Sequence, residues 1–127
     1  MAHILVIDDD DALRGTFKQF LERFGHIVSD AANGMDGLRM FKKDGADVVI
    51  TDIFMPEADG LEVIMEVKKS GRKTPVIAIS GGIRTKNQHP ISFLKQAEQF
   101  GASLVFYKPI DFAGLYSAIL QLLPAEP

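Results

Sequence analysis

The feature that most constrains this chain is an alternation: five short apolar runs, each followed by a stretch with helical spacing. The first run, His3–Ile7 (HILVI), is apolar throughout, as expected of a central parallel strand covered on both faces. Leu13, Phe17, Phe20, Leu21 and Phe24 then recur at three- and four-residue intervals, and Gly25 is placed to end that helix. A second strand runs from Ile27 to about Ala31, Asn33-Gly34 punctuates it, and a helix through Gly37–Phe41 closes at Gly45. Asp47–Thr51 forms the third strand and delivers Asp52; Leu61, Val63, Ile64, Met65 and Val67 stripe a helix that ends near Gly71. Pro75–Ile79 is the fourth strand and ends at Ser80-Gly81-Gly82. After an aperiodic loop over Ile83–Pro90, Ile91, Phe93, Leu94, Ala97 and Phe100 mark a helix closed by Gly101. Leu104–Tyr107 is the fifth strand, and a last helix runs from Phe112 to Leu123, where Pro124 stops it.

Such an alternation predicts an α/β fold, a five-stranded parallel sheet doubly wound by five helices. Right-handed crossovers leave few topologies, and the strand order 2-1-3-4-5 fits. Ligands of such sheets bind outside the carboxyl ends of the strands, at the point where the order reverses. The strand ends therefore carry the functional argument, and an acid such as Asp52 that ends a buried strand at the sheet edge is expected to be displayed rather than hidden. Strand one offers Asp8 and Asp9, strand three Asp52, strand four Ser80 and strand five Lys108, all along one edge.

Clustered carboxylates repel one another unless a cation offsets them, and oxygen ligands that leave room for water suit Mg²⁺. Lys108 adds a compact positive donor and Ser80 a small hydroxyl. Acids to hold a metal, a carboxylate to react and two donors for new anionic oxygens make a site for phosphoryl transfer onto aspartate. Each part has a plainer reading: Asp52 as a turn cap, Asp10 or Asp11 as caps of the first helix. It is their occurrence together, in order on successive strand ends, that carries the assignment.

Composition removes several alternatives. The chain has 127 residues, enough for one core, and no cysteine, which excludes disulfides, thiolate catalysis and Cys-ligated zinc. A formal net charge of −3 with no polybasic segment gives no reason to expect nucleic acid or a membrane surface. The run Ile4–Ile7 is too short, and too soon followed by acids, for a signal peptide or spanning helix, so a cytoplasmic location is expected. His3, His26 and His89 show no metal-ligand spacing.

With these residues in view, the chain resembles a response-regulator receiver domain of the CheY type, from Ile4 to about Leu123. One receiver domain is expected over residues 1–127, with its core between residues 3 and 123. The resemblance implies that Asp52, in the stretch DIFMP, is the phosphoacceptor, and that Asp9, Asp8 and Asp52 itself hold Mg²⁺ together with the backbone carbonyl of Phe54. It places Ser80 at the switch position and Lys108 at the lysine before a cis proline, Pro109. The implied donor is the phosphohistidine of a sensor histidine kinase or histidine phosphotransfer protein, and the implied recipient a downstream protein or output domain. Leu13, Arg14, Phe17, Pro109 and Ile110 are the candidates for the donor-docking surface, although Phe17, an apolar residue on a helix, is expected to be buried in the core.

The chain departs from the family pattern in three places. The aromatic common three residues before the lysine is replaced by Val105, while strand alternation turns Phe106 to the other face. The span from Ser80 to Gly101 is long, with the extra residues in Ile83–Pro90; this predicts either a rebuilt, mobile fourth helix that contacts partners or a bland insertion. Phe54 and Gly82, two residues beyond Asp52 and Ser80, offer no side-chain hydrogen bond to an attacking water, so slow self-dephosphorylation is expected. Two other functions fit parts of the sequence. Asp8-Asp9-Asp10 has the spacing of a small Mg²⁺ phosphatase with Asp8 as nucleophile, although the chain is short for a water-excluding cap. A receiver-like scaffold that works without phosphorylation would not need the complete acidic set. The expected module is thus not an enzyme beyond its own phosphorylation and dephosphorylation. Its output is either a protein contact or a domain elsewhere in a longer protein.

Overall fold

The computed structural model describes residues 2–53, 60–80, 95 and 97–123. Five parallel strands, β1 (His3–Ile7), β2 (Ile27–Ala31), β3 (Val48–Asp52), β4 (Val76–Ser80) and β5 (Leu104–Tyr107), form one sheet in the order β2-β1-β3-β4-β5. The helices are α1 (Asp11–Arg23), α2 (Gly34–Asp44), α3 (Gly60–Lys69), α4 (97–100 among the described residues) and α5 (Phe112–Leu122). Both the expected fold and the expected strand order are found.

Two cores explain why the strand sequences are apolar without alternation. On one face, Leu5, Ile7, Ala31, Val49, Ile53, Val76 and Ala78 pack with Phe41 of α2, Val63, Ile64 and Val67 of α3 and Ala97 of α4. On the other, Ile4, Val6, Val28, Val48, Ile50, Ile77 and Ile79 pack with Phe17 and Leu21 of α1 and Leu115 and Ile119 of α5. Successive strand residues serve opposite cores, so a polar residue on either face would be buried unpaired.

The helix boundaries follow their local chemistry. Asp10 caps α1 by accepting from Leu13 N at 3.1 Å, Asn33 caps α2 by accepting from Asp36 N at 2.8 Å, and Asp111 caps α5 through Gly114 N at 3.2 Å. Gly25, Gly45, Gly71 and Gly101, the four glycines expected to close helices, all have positive φ. At Gly45 the main-chain N–H donates to Phe41 O while φ is 70°, a conformation open to glycine at little cost. Val105 packs into the α2–α3 core and Phe106 into the opposite one, as alternation requires, while Tyr107 is about half exposed. The segment Ile83–Pro90 lies outside the described residues.

Candidate functional site

The three acids and the lysine converge at the carboxyl edge of the central strands. Asp52 is the last residue of β3, and Asp8 follows β1, its immediate neighbour in the sheet. Alternation carries Asp8, Asp52 and Lys108 onto the side of the sheet that faces α1 and α5. One carboxylate oxygen from each of Asp8, Asp9 and Asp52 lies within 4.8 Å of the others. Lys108 Nζ stands 3.2 Å from Asp52 Oδ2 and 3.2 Å from Asp8 Oδ2, bridging the two buried acids. The Lys108–Pro109 peptide is cis, as expected.

One expectation requires correction. A carboxylate at a strand end was expected to be displayed to solvent, but Asp52 is 0 % exposed and Asp8 1 %. Only Asp9 of the three is exposed. The ammonium of Lys108 lies against both buried carboxylates and supplies the counter-charge that burial demands.

The electrostatics follow from that burial. Loss of solvent, offset in part by the Asp10 main-chain N–H and then reinforced by the charge of Asp52, pushes the Asp8 carboxyl up to about 6. Burial opposes the charge on Lys108, yet Asp52 and then Asp8 outweigh it, and the ammonium's pKa is raised. Asp8 Oδ1 accepts from Asp10 N at 2.9 Å, whereas Oδ2 accepts no hydrogen bond from the described residues, although the Lys108 ammonium pairs with it at 3.2 Å. A buried oxygen left in this state, beside two further carboxylates, fits a hard cation that takes oxygen ligands. Phe54, whose carbonyl was expected to complete the set, lies outside the described residues.

Ser80 closes β4 and is fully buried. It follows Ile79, the register partner of Asp52, and its carbonyl accepts from Lys108 N at 2.8 Å. The strand ends bearing Ser80 and Lys108 are therefore joined by the main chain.

The expected docking surface is only partly available. Pro109 is exposed and Leu13 and Ile110 are half-buried, but Phe17 is 0 % exposed and belongs to the core. Arg14 is engaged internally: Nε donates to Asp30 Oδ2 at 2.9 Å, Nη1 to the Asp8 carbonyl at 2.9 Å, and Nη2 pairs with Asp11 Oδ1 at 2.8 Å. Sequence reasoning missed that role because Asp30 is 16 residues away and becomes a neighbour only through the pairing of β1 with β2. His26 was likewise passed over; its Nδ1 accepts from Ala2 N at 3.2 Å and its Nε2 lies 2.8 Å from the Tyr116 hydroxyl.

Residues 4–120 match the family model of the response regulator receiver domain. The chain is 29% identical over 120 residues to a probable C4-dicarboxylate response regulator, DctR, of Priestia megaterium, covering 93% of this chain and 50% of that protein. It is 33% identical over 118 residues to the transcriptional regulatory protein GlrR of Escherichia coli, covering 93% of this chain and 25% of the relative. The chain thus spans between a quarter and a half of the length of these two curated relatives. Among solved structures, a response regulator receiver domain protein from Clostridium thermocellum superposes with a TM-score of 0.85 at 32% identity, over 96% of this chain and 94% of that one. The chemotaxis protein CheY4 of Vibrio cholerae gives 0.83 at 25% identity, over 97% and 99% of the two chains. With the fold, the acidic edge and the sequence match in agreement, the chain belongs to the response regulator receiver domain family, the signalling phosphoacceptor module of two-component systems.

Proposed function

We propose that Asp52 is the residue that takes the phosphoryl group, with Asp8 and Asp9 holding Mg²⁺ beside it and Lys108 and Ser80 receiving the new anionic oxygens. The observation that carries this reading is the lysine bridge: Lys108 Nζ lies 3.2 Å from both Asp52 Oδ2 and Asp8 Oδ2. A bound Mg²⁺ supplies charge to neutralise the oxygens of the transferring group. The chain's own residues do the rest. A carboxylate oxygen of Asp52 attacks phosphorus in line; the new O–P bond forms as the P–N bond of a donor phosphohistidine breaks, and the imidazole leaves. Lys108, already aimed at Asp52, needs little reorganisation to follow the charge onto the phosphoryl oxygens.

The same geometry supports a switch. The acyl phosphate adds charge and acceptors next to Ser80 and Lys108, whose strand ends share the Lys108 N to Ser80 O bond. A complete change of population needs roughly 5.5 kcal/mol of differential energy, while one hydroxyl hydrogen bond supplies only about 1 kcal/mol. Rearrangement of the lysine bridge must provide much of the difference. With Val105 packed in the core where an aromatic is usual, the switch works without that side chain's rotation.

The donor is a sensor histidine kinase or histidine phosphotransfer protein, docking on Leu13, Pro109 and Ile110 beside α1 and the turn after β5. The recipient is a downstream protein or an output domain. No helix among the described residues is long and apolar enough to cross a membrane, and a cytoplasmic location agrees with this. The module catalyses its own phosphorylation and, slowly, its own dephosphorylation, since Phe54 and Gly82 bring no hydrogen-bonding side chain. If Phe54→Asn leaves the lifetime of the acyl phosphate unchanged, that explanation of slowness is wrong.

The reading is tested by treating the phosphorylated chain with borohydride, which reduces an aspartyl phosphate to homoserine, and mapping the product. Homoserine at position 52 supports it. Homoserine at position 8, with turnover of small phosphoesters that requires Asp8, would instead mean the phosphatase.

A further inference from the structure

We infer that Arg14 is a positioning residue for the cation site, holding the peptide between Asp8 and Asp9 in the orientation that brings both carboxylates to Asp52. This rests on the proposed Mg²⁺ site and extends it to a residue that touches neither metal nor phosphate.

The polar groups of Asp8 face neighbours in different directions. Its N–H donates to Ala31 O of β2 at 3.1 Å, and its Oδ1 accepts from Asp10 N at 2.9 Å. Its Oδ2 faces Lys108, and its carbonyl accepts from Arg14 Nη1 at 2.9 Å. That carbonyl belongs to the same planar peptide as the N–H of Asp9. Fixing it fixes the plane from which the exposed Asp9 side chain departs. Without such a hold, an exposed carboxylate on a turn would have to be ordered at the moment of binding, and affinity would fall.

The guanidinium can serve this purpose because it is anchored elsewhere. Nε donates to Asp30 Oδ2 of β2 at 2.9 Å and Nη2 pairs with Asp11 Oδ1 at 2.8 Å, leaving the side chain 16% exposed. Three nitrogens of one rigid plane are thus committed to β2, to the start of α1 and to the Asp8 carbonyl. A lysine in this place would have a single nitrogen for all three.

The sign of the effect separates positioning from charge. Arg14 is a cation near a cation site, so by charge alone its removal would tighten Mg²⁺ binding. If it positions the turn, its removal weakens binding, as loss of outer groups that orient metal ligands commonly does by 10-fold or more.

The test is calorimetric titration of Mg²⁺ into the wild-type chain, Arg14→Lys and Arg14→Gln. Thermal unfolding without Mg²⁺ and the amide resonances of Asp9 and Asp10 are recorded for each. The inference expects about tenfold weaker Mg²⁺ binding in Arg14→Gln, a smaller loss in Arg14→Lys, and displaced Asp9 and Asp10 resonances in both metal-free variants. Equal or tighter binding in Arg14→Gln overturns it, even if thermal stability falls, because the residue is then structural only. Should Arg14→Gln fail to fold, Arg14→Lys decides: wild-type affinity there overturns the inference. A wild-type chain that binds no Mg²⁺ overturns the proposed metal site itself and this inference with it. Wild-type binding that is indifferent to Arg14 overturns the inference alone.

Discussion

The ammonium of Lys108 stands 3.2 Å from Oδ2 of Asp52, a carboxylate with no exposed surface. The same nitrogen lies 3.2 Å from Asp8 Oδ2, so one cation serves two buried anions. The pair therefore works in two ways: it stabilises the resting fold and competes with any other cation for the same oxygens.

Removing that lysine should separate the two roles. In Lys108→Met, the buried carboxylates lose their counter-charge, so the metal-free chain should unfold at a lower temperature and Mg²⁺ should bind more tightly. Phosphorylation should slow by about 100-fold, the scale of losing one preorganised electrostatic donor. Thermal unfolding, Mg²⁺ titration and phosphorylation rate measured on the same sample check all three; weaker Mg²⁺ binding would show that the lysine does not compete.

Asp8 should make stability depend on pH in an unusual direction. Its carboxyl is pushed up to about 6 by burial and by Asp52, above the ordinary carboxylate range. The folded chain therefore binds this proton more tightly than the unfolded one. The contribution of Asp8 is most favourable below about pH 4 and is lost as pH rises through about 6, by at most about 1.4 kcal/mol per pH unit. Metal-free wild type should thus lose stability relative to Asp8→Asn between pH 4 and 7, and Mg²⁺ should reverse the loss only in the wild type. Parallel pH curves for the two proteins would contradict this.

Two glycines should respond to alanine with opposite signs. A Cβ on Gly60 would overlap Asp52 O and meet Ile53 Cα at 2.6 Å, because the first turn of α3 rests directly on the backbone that ends β3. Gly60→Ala should cost about 1–3 kcal/mol and slow phosphorylation by displacing Asp52. Gly15, in the exposed middle of α1, would place its Cβ where no described residue lies within 4 Å, and Gly15→Ala should add about 0.5–1 kcal/mol. Urea unfolding of both variants is the check, and equal midpoints would refute the steric account of Gly60.

What could be read from the sequence was what depends on neighbours along the chain. Runs such as Ile4–Ile7 and Val76–Ile79 announce doubly covered strands, and glycines such as Gly25 and Gly45 announce the ends of helices. Asp8, Asp52 and Lys108 could be brought to one edge because parallel strands with regular crossovers deliver all their ends to the same side. What could not be read depends on packing between distant segments. Nothing along the chain says that Asp52 would be closed off from solvent, since that requires Lys108, 56 residues later, to lie against it. Arg14 was assigned to a docking face by resemblance, as a residue of the first helix; its commitment to Asp30 exists only because β2 lies beside β1. Phe17, named for the same face but expected to be buried, does lie between α1 and α5, where its ring meets Phe112 edge-on at 5.2 Å, a partner that only the packing of the two helices supplies.

The measurement that bears most directly on the central claim is intact-mass analysis after incubation with acetyl phosphate, with and without Mg²⁺, on wild type, Asp52→Ala and Asp8→Ala. The account predicts a gain of a single phosphoryl group in the wild type that requires Mg²⁺ and is absent from Asp52→Ala. A gain that survives in Asp52→Ala but disappears in Asp8→Ala would contradict it, and would make Asp8 the nucleophile.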